Sequence, residues 1–225
     1  VAIEFLEKAL EIEYDDAVAF ELATILYDQK EYQKANLYFK QIDAISPEFE
    51  GYEYGYALSL HAEHQTEDAL RLTQQGLSKN PFDTRLLLLA SQLSYELHDE
   101  QKAEDYLLKA KDNAEDLEEI ALRLSNLYLE QERFDEVLKF EEQDIDNVLT
   151  KWNIARAYQA LEQTTAALER YRLLLSDLKE NPEFLEQYIY LLREMGDFEE
   201  AKHQAEYYLH LVPDDMEMQE LYDSL

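Results

Sequence analysis

The side chains of this 225-residue chain with the most evident capacity for chemistry are five histidines and fifty-one carboxylates. His61 and His64 stand three apart, and Glu200-x-x-His203 spaces a carboxylate and an imidazole by one helical turn. That spacing is half of a carboxylate-bridged di-metal set, which needs a second Glu-x-x-His on a facing helix. The sequence contains no second copy. Acidic runs such as Glu115-Asp-Leu-Glu-Glu119 and Asp214-Asp215 lack the alternating oxygen ligands and central glycine of a calcium loop. They suit helix N-termini, where negative charge complements the dipole. Ser, His and Asp are present without a strand–turn–helix context that would expose a nucleophile. Zero cysteines exclude disulfides, thiolate metal sites and cysteine nucleophiles, and four glycines leave no phosphate cradle. These readings predict no enzyme, no metal and no cofactor. Recognition is the chemistry that remains, carried by arginine, asparagine and a rich set of aromatic side chains.

The charge balance narrows what can be recognised. Fifty-one Asp and Glu against twenty Lys and Arg give a formal charge of −31. Sequence-independent grip on nucleic acid comes from Lys and Arg neutralising phosphates, so nucleic acid is excluded as a partner. An anionic membrane leaflet is excluded on the same ground. The longest apolar run, Leu86-Leu-Leu-Leu-Ala90, is far short of a membrane span. An apolar share of 46% is that of a globular chain. Acidity and the lack of cysteine suit a cytoplasmic setting. The chain opens at Val1, directly inside a helical pattern, and reads as a piece of a longer or processed protein.

Internal self-similarity organises the rest. A small residue recurs at Ala2, Ala35, Ala69, Ala103, Val137, Ala167 and Ala201, with separations of 33, 34, 34, 34, 30 and 34. Twelve residues after this marker fall Pro47, Pro81 and Pro213, where proline ends a helix. Twelve before it stand Ala23, Ala57, Ser91, Ser125 and Ala155, with Ile189 the exception, and a large residue usually precedes each. The spacings predict pairs of amphipathic helices of about a dozen residues joined by tight turns.

The pattern resembles the tetratricopeptide repeat (TPR) family. Its clearest copies are Trp152-Asn-Ile-Ala-Arg-Ala-Tyr158 and Gly196-Asp-Phe-Glu-Glu-Ala201 followed by Pro213. The resemblance implies an all-α, right-handed TPR superhelix, an α-solenoid of helix-turn-helix repeats. Residues 1–15 form the second helix of a truncated repeat. Repeats follow at 16–49, 50–83, 84–117, 118–147, 148–181 and 182–215, and a terminal helix spans 216–225. The fourth copy is short and irregular: its marker is Val137, Glu141 replaces an aromatic residue, and Asp144 replaces a small one. Asp144-Ile-Asp-Asn147 supplies a helix stop and a new cap. Two readings stand here, plain drift in a tolerant repeat or a joint between sub-arrays 1–144 and 147–225.

In TPR proteins the first helices line a groove that takes an extended peptide or a partner's helix. Projected on this sequence, the groove holds Tyr27, Tyr54, Leu88, Gln92, Tyr95, Leu122, Arg123, Asn126, Trp152, Arg156, Tyr190 and Arg193. Four of the eight arginines (Arg85, Arg123, Arg156 and Arg193) lie on first helices. Their forked donors suit a carboxylate or peptide carbonyl, or they pair with neighbours such as Glu119 and Glu186. Likewise Trp152 is either a binding anchor or packing between repeats. The Lys/Asn/Arg clamp of chaperone-binding members has no copy, since Phe20, Thr24, Tyr54 and Leu58 stand in its place. The resemblance implies a non-catalytic scaffold binding a protein or peptide. The alternative is a peptide-sensing regulatory module like the bacterial TPR domains of Gram-positive pheromone receptors. Self-association through the array ends, 1–10 or 216–225, is a third expectation.

Overall fold

A computed structural model describes residues 2–143 and 145–225, so the helix stop expected at Asp144 lies outside the described residues. Among the described residues the secondary structure is helical throughout. The chain divides into two compact units, 1–115 and 116–225. The division falls two residues before the end of the expected repeat 84–117, and the irregular fourth copy lies within the C-terminal unit.

The N-terminal unit contains α1 (Ala2–Ile12), α2 (Asp16–Asp28), α3 (Tyr32–Ile45), α4 (Tyr52–Ala62), α5 (Thr66–Lys79), α6 (Thr84–Glu96) and α7 (Glu100–Lys111). Each helix packs against the next along the chain. The predicted small positions make this stacking close. Ala23, Ala57, Ala35, Ala69 and Ala103 are all buried, so backbones approach without a side chain between them. Leu22, Leu26, Phe39, Ile42 and Tyr52 fill the space around them, each worth about 1.5–3 kcal/mol when fully buried. The outer end of the stack is less covered: Phe5 and Ile12 on α1 are 71% and 87% exposed.

The C-terminal unit contains α8 (Glu118–Glu130), α9 (Phe134–Leu138), a 3-10 turn (Lys139–Glu142), α10 (Val148–Ala160), α11 (Thr164–Leu178), α12 (Pro182–Glu194), α13 (Phe198–Leu211) and α14 (Met216–Ser224). Its core gathers Trp152, Tyr171, Phe184, Tyr188 and Leu192 with small Ala155, Ala167 and Ala201.

Starts and stops follow local chemistry. Four first helices open on Asx caps: Asp15, Asp83, Asn147 and Asn181 accept the N–H of Val18, Leu86, Thr150 and Phe184 at 3.0, 3.3, 3.0 and 3.2 Å. Pro182 occupies the first turn of α12, where its missing N–H costs nothing. Within every hairpin the residue five before the marker is left-handed: Lys30, His64, His98, Glu132, Glu162 and Gly196, with φ between 57° and 78°. The next N–H returns to a carbonyl five residues back, as in Glu31 to Leu26 (2.9 Å) and Asp197 to Leu192 (2.9 Å). This is the bonding of a Schellman stop. Only the sixth turn uses the glycine that this conformation favours.

The fourth repeat keeps its turn and shortens its second helix to α9 and a 3-10 turn. Phe39, Leu107 and Tyr171 are buried four residues after their markers, whereas Glu141 is exposed there. A carboxylate at that place cannot enter the core. The chain tightens into a 3-10 turn, which advances about 120° per residue against 100° in an α-helix. Phe140 faces inward instead, stacked on Tyr128 with ring centroids 6.4 Å apart. Glu141 turns outward to Tyr158 (2.5 Å) and Arg170 (2.7 Å).

Candidate functional site

The first-helix face of the N-terminal unit is aromatic, and its polar atoms largely satisfy one another. Tyr27 is half-buried against Tyr32, ring centroids 5.5 Å apart. Burial, then neighbouring Tyr32 and Tyr54, raise its phenol above the usual range. Tyr54 is half-buried under the guanidinium of Arg85 at 5.3 Å, and Arg85 pairs with Asp83 (3.1 Å). Leu88 is half-buried, and Tyr95 is 43% exposed. Gln92 donates to Glu96 (3.1 Å), and His61 lies 2.8 Å from the same carboxylate.

The C-terminal unit differs. Leu122 is half-buried on α8, and Arg123 pairs with Glu119 one turn earlier (2.6 Å). Asn126, also on α8, is exposed. Its Oδ1 accepts from Asn153 Nδ2 at 2.6 Å, and Asn153 also donates to Ser125 Oγ at 2.9 Å. Asn153 is 2% exposed, so it touches no visitor and sets the orientation of Asn126. With its oxygen engaged, Asn126 presents its two N–H donors outward. On α10, Arg156 makes a long contact to Asn153 Oδ1 (3.4 Å) and lies over the Trp152 ring at 5.6 Å. Asn126, Leu129, Phe134 and Arg156 line a cleft of about 320 Å³.

The four first-helix arginines therefore separate. Arg85 and Arg123 are neutralised by adjacent acids. Among the described residues no carboxylate pairs with Arg156 or Arg193.

Trp152 is 7% exposed and belongs to the packing between repeats. It meets Phe184 edge-on with centroids 5.8 Å apart and donates its indole N–H to Gln187 Oε1 at 3.2 Å. Gln187 Oε1 also accepts the Tyr171 hydroxyl at 2.9 Å. The ring of Trp152 is thus spent on contacts with α12. Further along, Tyr190 is half-buried and donates to Glu217 (3.3 Å), and Arg193 is exposed. Glu186 has its carboxyl raised by burial and then by the charges of Asp215, Glu217 and Glu183. This end of the face is acidic apart from Arg193.

Two features had no signal in the spacing. Glu53 is 3% exposed and ion-paired to Lys79 at 2.6 Å, yet periodicity places it next to Tyr54, a residue expected in the groove. Gln187 joins Trp152 to Tyr171 from a position the repeat pattern leaves unmarked. Among the described residues no group of three or more His, Asp and Glu is placed to hold a metal ion. None of the described helices is long and apolar enough to cross a membrane.

Comparison with known proteins addresses the fold. Residues 149–215 match the family described as YpiA-like, C-terminal tetratricopeptide repeats. No curated protein sequence matches the chain. Among solved structures, the C-terminal part of a TPR repeat-containing protein from Cytophaga hutchinsonii superimposes with a TM-score of 0.77. It is 17% identical, and the match covers 97% of this chain and 92% of that one. YrrB, described as a TPR protein with an unusual peptide-binding site, matches with a TM-score of 0.62 and 14% identity over 82% of this chain and 97% of its own. The APC/C hetero-tetramer Cut9–Hcn1 matches with a TM-score of 0.60 and 13% identity. There the match covers 99% of this chain but only 45% of that one. Repeat spacing, stacked helical hairpins and these superpositions agree on a fold of TPR-like helical hairpins, and the family match places tetratricopeptide repeats at residues 149–215.

Proposed function

We propose that the chain is a non-catalytic interaction scaffold and that its C-terminal unit captures an extended peptide segment of a partner protein along α8, α10 and α12. The observation that carries this reading is Arg156: a half-buried guanidinium, without a carboxylate partner among the described residues, in a unit dense with carboxylates. Beside it Asn126 holds outward amide donors over the 320 Å³ cleft. A guanidinium and an amide together suit peptide carbonyls or a carboxylate side chain, and Leu129 and Phe134 offer apolar contact. YrrB supplies an analogy of fold, being described with a peptide-binding site. Nucleic acid is disfavoured as a ligand by the charge of −31.

The test is affinity capture from the source proteome, followed by quantitation with variants. Arg156→Ala and Asn126→Ala should each weaken the captured peptide by about 1–3 kcal/mol, the range of charge-assisted and well-packed interface contacts. Arg156→Ala should not shift the melting temperature appreciably, because surface substitutions stay within about ±0.5 kcal/mol, whereas Asn126→Ala removes an acceptor of buried Asn153 and should cost about 1 kcal/mol. Unchanged binding in both variants would remove the groove of 116–225 from consideration.

A further inference from the structure

A different face of the C-terminal unit carries a second site. The complete second helices α3, α5, α7, α11 and α13 run 12 to 15 residues, but α9 has five, followed by a four-residue 3-10 turn. About one to two helical turns are missing where α11 should have a full neighbour. A cleft of about 450 Å³ occupies the place, with Phe140, Ile145, Ile154 and Leu174 in its lining. Leu173 also lines it and is 78% exposed. At that repeat position the N-terminal unit carries Gln41, Gln75 and Lys109. A leucine thus stands exposed where three equivalents are polar and a fourth, Tyr207, is half-buried against the core, and it does so beside the shortened helix.

The charges at the rim indicate what fits. Arg170 is held by Glu141 at 2.5 Å and Lys151 by Asp146 at 2.5 Å, so both cations are already paired. Glu142 and Glu169 are exposed nearby. Residues 116–225 contain 27 of the 51 acids and 10 of the 20 basic residues, a net charge of −17. We propose that this cleft docks a short amphipathic helix of a partner protein, with apolar side chains one turn apart and lysine or arginine at its ends. The incoming turns take the place of those α9 lacks, covering Leu173 and the apolar floor. The basic ends meet the surrounding carboxylates. This site is independent of the groove that Arg156 lines.

The experiment uses the full chain and a labelled alanine-based helical peptide of about four turns, with two leucines four residues apart and a lysine pair at each end. Fluorescence anisotropy should show saturable binding that weakens as salt rises. Leu173→Gln, which installs the residue of the sister repeats, should weaken it tenfold or more at unchanged melting temperature. Arg156→Ala should leave it unaltered. The proposal is overturned by absent saturation, by equal affinity in Leu173→Gln, or by equal binding of a peptide with glutamate ends. It is overturned too if sedimentation shows a dimer that Leu173→Gln converts to monomer, since a second copy would then be the occupant.

Discussion

Asn153 donates its side-chain amide to Asn126 Oδ1 at 2.6 Å, and this bond fixes which way the exposed amide of Asn126 faces. The consequence is a residue that acts on binding without touching a ligand. Asn153→Ala should weaken peptide capture about as much as Asn126→Ala. It should also cost about 1 kcal/mol of stability through the lost buried hydrogen bonds. Titrating both single variants and the double variant checks this, and additive losses in the double would show that the two amides act separately.

Trp152 should matter for stability before it matters for binding. Its ring is enclosed by α12, so Trp152→Ala should cost about 3–5 kcal/mol, the usual range for an aromatic truncated in a core. Trp152→Phe keeps the edge contact with Phe184 but loses the hydrogen bond to Gln187, and should cost less. Urea denaturation measures both.

The left-handed turns store strain that can be removed. A non-glycine residue at positive φ costs about 1–2 kcal/mol, partly offset because glycine gives the unfolded chain more freedom. His98→Gly should therefore stabilise the N-terminal unit by about 0.5–1 kcal/mol, and Gly196→Ala should destabilise the C-terminal unit by about 1 kcal/mol. Opposite signs in the denaturation midpoints would confirm that backbone conformation, not side-chain contact, governs these sites.

Lys79 holds the carboxylate of buried Glu53, which pairs with no other cation among the described residues. Its ammonium reaches Glu53 Oε1 at 2.6 Å and also the carbonyl of Pro47. Lys79→Met should cost about 3 kcal/mol, the low end for stranding a buried charge because the lysine itself is one-third exposed. Adding Glu53→Gln should recover most of that loss. A double variant as unstable as the single would show that the charge is not what matters.

The tyrosines set an alkaline limit. Burial pushes the Tyr171 phenol up to about 12. Burial followed by an aspartate hydrogen bond raises Tyr52 and Tyr208 as well. A folded-state value above the ordinary 10 means the fold favours the neutral phenol. That contribution is complete below about pH 10 and is lost as pH climbs through the folded-state values. Absorbance at the tyrosinate band should rise partly in step with the loss of ellipticity. Full ionisation of all seventeen tyrosines in an intact fold would contradict the burial.

Much of this architecture was legible in residue types. Ala35, Ala69 and Ala167 announce helix contacts because only a small side chain permits close backbones, and Pro47, Pro81 and Pro213 mark where helices must end. Glu141, an acid on an apolar stripe, already signals the fourth repeat's irregularity. The site was less legible, because spacing fixes a helix face and not what the next repeat does with it. Trp152 shares the face of Asn126 and Arg156, yet Phe184 and Gln187 enclose it. Arg123 and Arg156 differ only in whether an acid sits one turn away. Lys79 finds Glu53 across two helices, a pairing no period encodes.

The chain has one tryptophan, and it lies in the C-terminal unit under a guanidinium. Its ultraviolet emission is consequently a local lamp, lit only by the junction of α10 with α12 and dark to everything in residues 1–115. Far-ultraviolet ellipticity sums both units alike. Followed through a single denaturant titration, the two colours of light separate events that either alone would merge. Coincident curves mean the units melt as one cooperative body, and displaced curves mean each melts on its own.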